Sequence, residues 1–334
     1  MQILIIGGTK FIGYHITKRL LENGYKLSVF NRGKTPDEFG DRIEHYQGDR
    51  RDNDRFFQTF KNKYFDAVID VIGYRSENVE TAIKVFSGNV GHYIFISSGQ
   101  VYLITENRHI PSKEEDFYQP LTRCPPGEED AWFYGVEKRE CELALLKAYE
   151  SEGFPMTILR LPIVHGEYDY TLRAYSYFLR ISDGGPLIVP DGGNTVIRHI
   201  WAGDVAQTVA QIVGLKETCG QVYNLAQKEV LNLKGFLKLC AKLIKRRVKL
   251  VSVSSEELIN RGLDLSFSPF SSQWISYLDI TKAINELNFC PTPIGKWLKR
   301  TIDWFFKKYH GEKPANYILR PHELEIASSL LKES

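Results

Sequence analysis

Cysteine is sparse in this sequence and nowhere closely paired. The five residues, Cys124, Cys141, Cys219, Cys240 and Cys290, are odd in number and widely spaced. That pattern fits neither a disulfide framework nor a zinc site. None of the eight histidines forms a His-x-x-x-His pair, so no metal is expected. No apolar run is long enough to cross a bilayer. A dominant charge is missing too, since 43 Lys and Arg stand against 41 Asp and Glu, a formal net charge of +2. A whole-chain pull towards nucleic acid or membrane is thereby excluded. The opening Met-Gln-Ile-Leu-Ile-Ile-Gly-Gly carries no basic flank of the signal-peptide kind, and the expected location is cytoplasmic. Only 14 prolines and 26 glycines, with 43% hydrophobic residues, rule out collagen-like and disordered chains.

What is present is alternation. Residues 2–6, 26–30, 67–72, 92–97 and 155–161 are short apolar runs of the kind buried in a parallel sheet. Between them, residues 11–23, 77–86 and 137–152 have helical character. Strand, helix, strand repeated this way predicts an α/β fold, a Rossmann-type doubly wound parallel sheet. The predicted dinucleotide-binding domain covers residues 1–165, with a returning segment at 196–228. Residues 166–195 and 229–334 are assigned to a smaller, mixed substrate-binding domain. Residues 231–313 hold 15 basic and 7 acidic residues, so this part is locally positive.

Gly7-Gly8-Thr9-Lys10-Phe11-Ile12-Gly13 follows the first strand and opens the first helix. A dinucleotide pyrophosphate needs a tight turn, close backbone approach and free amides at a helix N-terminus. Gly7 and Gly8 suit the turn, and Gly13 lets the helix lie close to the sheet. Lys10 stands where a third glycine is usual and adds positive charge near the phosphates. The second strand ends in Asn31-Arg32 with no acid to accept a bond from a ribose 2′-OH. Arg32 can instead pair with a 2′-phosphate, which favours NADP, with NAD second. Asp49 and Arg50 are placed at the adenine edge.

Tyr134-Gly-Val-Glu-Lys138 puts a phenol and an ammonium one helical turn apart. Lowering a tyrosine from pKa about 10 to near 7 takes roughly 4 kcal/mol, and a nearby cation is a suitable source. Ser98, at the C-terminal end of a buried strand, can polarise a substrate oxygen. Gln100 is a candidate substrate hydrogen-bonding group. His165 serves packing or substrate contact, and Arg198 is a candidate for a substrate phosphate.

With these motifs in this order, the chain resembles the extended short-chain dehydrogenases/reductases, the NAD(P)-dependent epimerase/dehydratase group. The resemblance runs through Gly7–Gly13, Asn31-Arg32, Gly48-Asp49, Val71-Ile72-Gly73, Ser98–Tyr102, Tyr134–Lys138, Leu159–Gly166 and Gly203–Ala206. It implies a catalytic triad of Ser98, Tyr134 and Lys138, and Lys138 on the nicotinamide ribose. Val71, Ile72 and Gly73 fall in the cofactor site, and Pro162 and Ile163 line the nicotinamide. It also implies a homodimer through the helix of Tyr134 and the helix near 77–86, with Leu143, Leu146 and Tyr149 contributing. The 4,6-dehydratases of this group resemble one another in an Asp-Glu pair where this chain has Gly99-Gln100. Dehydration is therefore disfavoured, and an epimerase or reductase acting on a sugar nucleotide or similar hydroxylated molecule is expected.

Lys10 and the Phe-Asn-Arg-Gly-Lys-Thr-Pro stretch look close to an atypical branch that includes chloroplast stem-loop RNA-binding proteins. RNA binding without dehydrogenase activity is the rival reading. It draws on Lys245-Arg246-Arg247-Val248-Lys249. The stretch from Ser98 to Tyr134 is also longer than usual in the group, and its 103–130 segment is a candidate substrate-side loop.

Overall fold

The first strand alternates Ile3 and Ile5 with Leu4 and Ile6, so both of its faces are apolar and both must be covered. In the computed structural model, which describes residues 1–272 and 274–333, the chain divides into two units. Unit 1 comprises Met1–Val164, Ile200–Ala226 and Ser276–Pro291. Its strands are β1 (Gln2–Ile6), β2 (Lys26–Asn31), β3 (Ile43–Gln47), β4 (Ala67–Asp70), β5 (Tyr93–Ser98), β6 (Met156–Leu161) and β11 (Gln221–Asn224). They form one sheet in the order β11-β6-β5-β4-β1-β2-β3, with every neighbouring pair parallel. Strand order reverses at β1 and β4, and such a switch point opens a crevice at the C-terminal strand ends.

One face of the sheet buries Ile3, Ile5, Val29, Ile69, Ile94 and Leu159. It is covered by Ile16 and Leu20 of α1 (Phe11–Glu22) and by Val205 and Val209 of α7 (Ala202–Ile212). The other face buries Leu4, Ile6, Phe30, Val68, Phe95 and Ile158. There α2 (Asn53–Phe60), α3 (Ser76–Phe86) and α5 (Glu129–Glu152) supply Phe56, Phe60, Val79, Phe86, Cys141 and Leu145. The short helix α4 (Gln100–Leu103) directly follows β5. Residues 276–291, expected in the smaller domain, belong to unit 1. The reason is apolar: α10 (Thr281–Leu287) buries Ala283 and Leu287 in the first of these layers.

Unit 2 comprises His165–His199, Gln227–Ile275 and Thr292–Ser334. It is mixed, with helices α6 (Arg173–Ser182), α8 (Leu233–Ile244), α9 (Ser255–Asn260), α11 (Ile294–Lys307) and α12 (Arg320–Glu333). Strands β8 (Leu187–Pro190) and β13 (Leu250–Val253) pair in parallel, and β9 (Val196–Ile197) pairs antiparallel with β12 (Leu231–Asn232). The strands β7 (Ile163–His165) and β10 (His199–Trp201) lie where the chain passes between units. Arg180 of α6 donates from Nε to Glu323 of α12 at 2.8 Å, and both side chains are buried. Among the described residues, no helix is long and apolar enough to cross a membrane.

An aromatic cluster fills unit 2. His165 stacks on Trp297 at 5.3 Å between ring centroids, with Phe236 and Phe270 beside it. Its Nε2 lies 2.7 Å from His199 Nδ1. Burial, then His199 and Arg173, push His165 well below the usual histidine range, and burial with Arg173 takes His199 down to about 3. A histidine held neutral in the fold but free to charge when unfolded stabilises fully above its unfolded pKa of about 6.5. That stability is lost as pH falls below this value. Urea unfolding midpoints should therefore drop steadily from pH 6.5 towards 5, before most carboxylates titrate; a flat profile across that window contradicts the neutral pair.

Candidate functional site

The glycine turn sits between β1 and α1. Gly7 has φ +92°, and a Cβ there would lie 2.7 Å from Ile72 Cγ2. Gly13 is tighter still, because its Cβ would meet the Gly7 carbonyl oxygen at 2.0 Å. Helix and strand thus approach to a distance that only glycine permits. Thr17 donates to the Gly8 carbonyl at 2.7 Å and fixes the turn to the second helical turn. Phe11 is held at φ +43°, an uncommon conformation for a bulky residue, with its ring in the core. The N-terminus of α1 has no side-chain cap and no acid in its first turn. A glycine turn leading into a helix start with no side-chain cap and no acid is the geometry a pyrophosphate requires, so the turn fits a dinucleotide. Gly13→Ala should abolish nicotinamide nucleotide binding. Binding by the variant at unchanged affinity, measured by titration calorimetry, would contradict this role for the turn.

Around the turn, the Asn31 amide donates to Thr9 Oγ1 at 3.2 Å, and its carbonyl oxygen accepts the Gly33 N–H at 2.7 Å. Lys10 and Arg32 are exposed, while Ile12 is half-buried. Asp49 accepts two hydrogen bonds from the Arg51 side chain, which hold its carboxyl well below the usual range. Val71-Ile72-Gly73 leaves the end of β4, where Asp70 turns the chain by accepting the Ile72 N–H at 3.0 Å. Pro162 is buried and Ile163 half-buried just past β6.

Lys138 lies on α5 with only 2% of its surface exposed. Its ammonium donates to the Gly73 carbonyl at 2.8 Å and to the Ile96 carbonyl at 2.9 Å, above the Phe95 ring. Burial pushes it below the ordinary lysine range, although Cys141, Asp70 and Glu142 oppose the shift. The 98–100 segment meets the first turns of α5. Gln100 Nε2 donates to the Ala131 carbonyl at 3.3 Å, and a Cβ on Gly135 would lie 3.1 Å from the Gln100 carbonyl oxygen. Ser98 Oγ accepts the Gln100 N–H at 3.2 Å. The structure therefore gathers Gly73, Ser98, Gln100, the turn carrying Tyr134, and Lys138 at the C-terminal ends of β4 and β5.

Three of the expected ligand residues make protein contacts of their own. Arg50 points into the core: it is 4% exposed, pairs with Asp70 at 3.3 Å and stacks on Phe56 at 4.1 Å. The buried Asp70 carboxylate needs a countercharge, and Arg50 supplies it. His165, 1% exposed, packs in the aromatic cluster of unit 2. Arg198 is tied to unit 2 backbone, donating from Nε to the Gln227 carbonyl at 2.9 Å and from Nη2 to the Lys228 carbonyl at 3.4 Å.

Sequence reasoning also missed a buried network beside the site. Glu142, fully buried one turn past Lys138, accepts Arg160 Nη2 at 2.6 Å and Nε at 3.0 Å, and also the Ser97 hydroxyl. Arg160 Nη1 donates to Tyr102 at 2.6 Å and to the Glu114 carbonyl at 3.0 Å. Tyr102 in turn donates to Asn224 Oδ1 at 2.7 Å. The network joins α5, β5, β6 and β11 to the 103–130 segment. Its one visible signal was a carboxylate four residues beyond Lys138, on the same helical face.

This fold and glycine turn define a Rossmann-type α/β class with a turn that fits a dinucleotide, and a family model places the chain more closely. Residues 3–226 match the NAD dependent epimerase/dehydratase family, and the chain belongs to that family. The chloroplast stem-loop binding protein of 41 kDa b from Arabidopsis thaliana is 28% identical over 72% of this chain. The alignment spans 62% of that protein's length. Among solved structures, the UDP-glucose 4-epimerase of Thermotoga maritima with UDP-glucose superposes with a TM-score of 0.73 at 19% identity. It covers 92% of this chain and 99% of its own. The dTDP-glucose 4,6-dehydratase of Bacillus anthracis in complex with NAD gives 0.71 at 16% identity, covering 92% and 97%.

Proposed function

We propose that this protein is an NADP-dependent epimerase or reductase acting on a sugar nucleotide or a similar hydroxylated small molecule. The observation that carries the reading is Lys138. A lysine buried to 2% exposure, with two of its three protons held by the Gly73 and Ile96 carbonyls, sits one turn from Tyr134. Such a cation is fixed in place and costly to bury, which suits a group that tunes its neighbour.

Gly7, Thr9, Lys10, Phe11, Ile12 and Gly13 would hold the pyrophosphate, and Asn31 and Arg32 the adenosine ribose and its 2′-phosphate. Asp49 would meet the adenine, with Val71, Ile72, Gly73, Pro162 and Ile163 around the nicotinamide ribose and ring. When bound, the nicotinamide accepts and returns hydride. Tyr134 takes the proton from the substrate hydroxyl oxygen and gives it back, and Lys138 stabilises the phenolate. Ser98 holds that oxygen by a hydrogen bond, and Gln100 can meet a second hydroxyl. A 4,6-dehydratase is disfavoured for a steric reason as well. A Cβ on Gly99 would lie 2.7 Å from Ser276 Oγ and 2.9 Å from Leu278 Cδ2, so a carboxylate side chain there would force both neighbours to shift.

Denaturing freshly purified protein and identifying the nucleotide released tests the reading. Near-stoichiometric NADP supports an epimerase that keeps its cofactor, and NAD overturns the Arg32 argument. Protein isolated empty that then binds NADPH supports a reductase, whereas no affinity for either nucleotide overturns the enzyme. A homodimer through α3 and α5 goes with this reading, since Leu143 and Tyr149 are 45% and 40% exposed on α5 and Leu146 is half-buried. A monomeric mass at micromolar concentration would remove it.

The second reading is RNA binding. It is favoured by the Arabidopsis relative, whose name is that of a stem-loop binding protein, and by the positive charge of unit 2.

A further inference from the structure

The near-zero net charge of the chain conceals a division between its units. Unit 2 carries 20 Lys and Arg against 13 Asp and Glu, a net of +7, whereas unit 1 carries 23 against 28, a net of −5. Within unit 2 the excess is concentrated on α8 and the turn after it. Residues 234–249 hold seven cations, Lys234, Lys238, Lys242, Lys245, Arg246, Arg247 and Lys249, and no acid. All seven are exposed, and none takes part in an ion pair among the described residues.

The helix gains from this arrangement only at its C-terminal end, where Lys242 in the last turn suits the dipole. Lys234, Lys238 and Lys242 are four residues apart, so each neighbouring pair repels by about 0.2–0.5 kcal/mol. Lys234 lies in the first turn, where the helix dipole disfavours a cation, and no acidic residue accompanies it. The opposite face explains the helix: Leu233, Phe236, Leu237, Cys240 and Ala241 are buried. The lysines are therefore a row of unneutralised charge carried on a helix anchored by its other side.

We infer that this row, Lys234, Lys238 and Lys242 continued by Lys245–Lys249, is the docking surface for the phosphate backbone of an RNA strand. The row is linear, with charges rising about 6 Å per step along the helix axis, which fits a linear polyanion. An anionic membrane is a poorer match, because the apolar face of α8 is buried and offers nothing to insert. The docking surface rests on the second reading for its ligand class and is independent of the hydride chemistry. It lies in unit 2, while the glycine turn, Tyr134 and Lys138 lie in unit 1.

The test is fluorescence anisotropy of the full chain with a labelled RNA stem-loop across a salt series. Lys234→Gln/Lys238→Gln/Lys242→Gln is compared with Lys26→Gln/Lys61→Gln/Lys147→Gln, which removes the same charge from exposed positions of unit 1. The α8 triple should weaken binding at least about tenfold at low salt and reduce the slope of log K against log salt by about 3, with the unit 1 triple unchanged. Equal losses in both triples overturn the docking surface while leaving RNA binding intact. No binding by the unaltered protein at low salt overturns both. Binding to phosphatidylserine vesicles, lost in the α8 triple and unaccompanied by RNA binding, overturns the ligand class. Unchanged melting temperatures of both triples show that folding is not the cause.

Discussion

Tyr134→Phe should lower turnover of the responding sugar nucleotide by about 10²–10⁴-fold, the usual contribution of a positioned proton-transfer group. The phenol oxygen is the only atom removed, so nucleotide retention should be unchanged. The expected signature is a fall in kcat with KM nearly constant, because the proton moves only in the chemical step. UDP- and dTDP-linked hexoses are the first substrates to try, with nicotinamide absorbance as the readout for reduction and chromatography of the sugar nucleotides as the readout for epimerisation. Turnover that survives the substitution would remove Tyr134 from the chemistry. Lys138 offers a contrast. Lys138→Met leaves the Gly73 and Ile96 carbonyls without their donor and should weaken nucleotide binding as well as turnover.

Glu142→Leu should cost about 3–5 kcal/mol of stability, because it leaves the Arg160 guanidinium buried and uncompensated. At 1% and 0% exposure, neither partner has water to fall back on. Arg160 is held charged: burial opposes this, but Glu142 and Tyr102 more than offset it. The double variant Glu142→Leu/Arg160→Met should recover most of the loss, since an apolar pair of similar volume often equals a buried ion pair. Urea unfolding of the two singles and the double measures the coupling directly. Additive losses, with no recovery in the double, would show that the pair does not act as a unit. The consequence reaches the site, because Ser97 binds Glu142 beside Ser98, and Lys138 lies one turn before Glu142. Loss of the carboxylate should therefore reduce kcat in the population that remains folded.

The sequence by itself determined the parallel sheet, the glycine turn and the spacing that puts Tyr134 and Lys138 on one helical face. Each depends on local spacing: two apolar faces on β1, glycines where helix and strand must nearly touch, and a four-residue interval on one helical face. Tertiary structure decided what spacing cannot express. Arg50 adjoins Asp49 in the chain, yet it turns inward because Asp70, twenty residues on, needs its charge. His165 follows a strand that leads towards the site, but its ring finds His199 and Trp297 from distant segments. Residues 276–291 read as part of a basic, irregular tail, and only the packing of Ala283 and Leu287 assigns them to unit 1. The Glu142–Arg160 network needed partners from five segments of the chain before its members had any reason to be noticed. The lysine row on α8 is the converse case. Its residues were in plain view in the sequence, but only burial of the opposite face shows that they all point outward together.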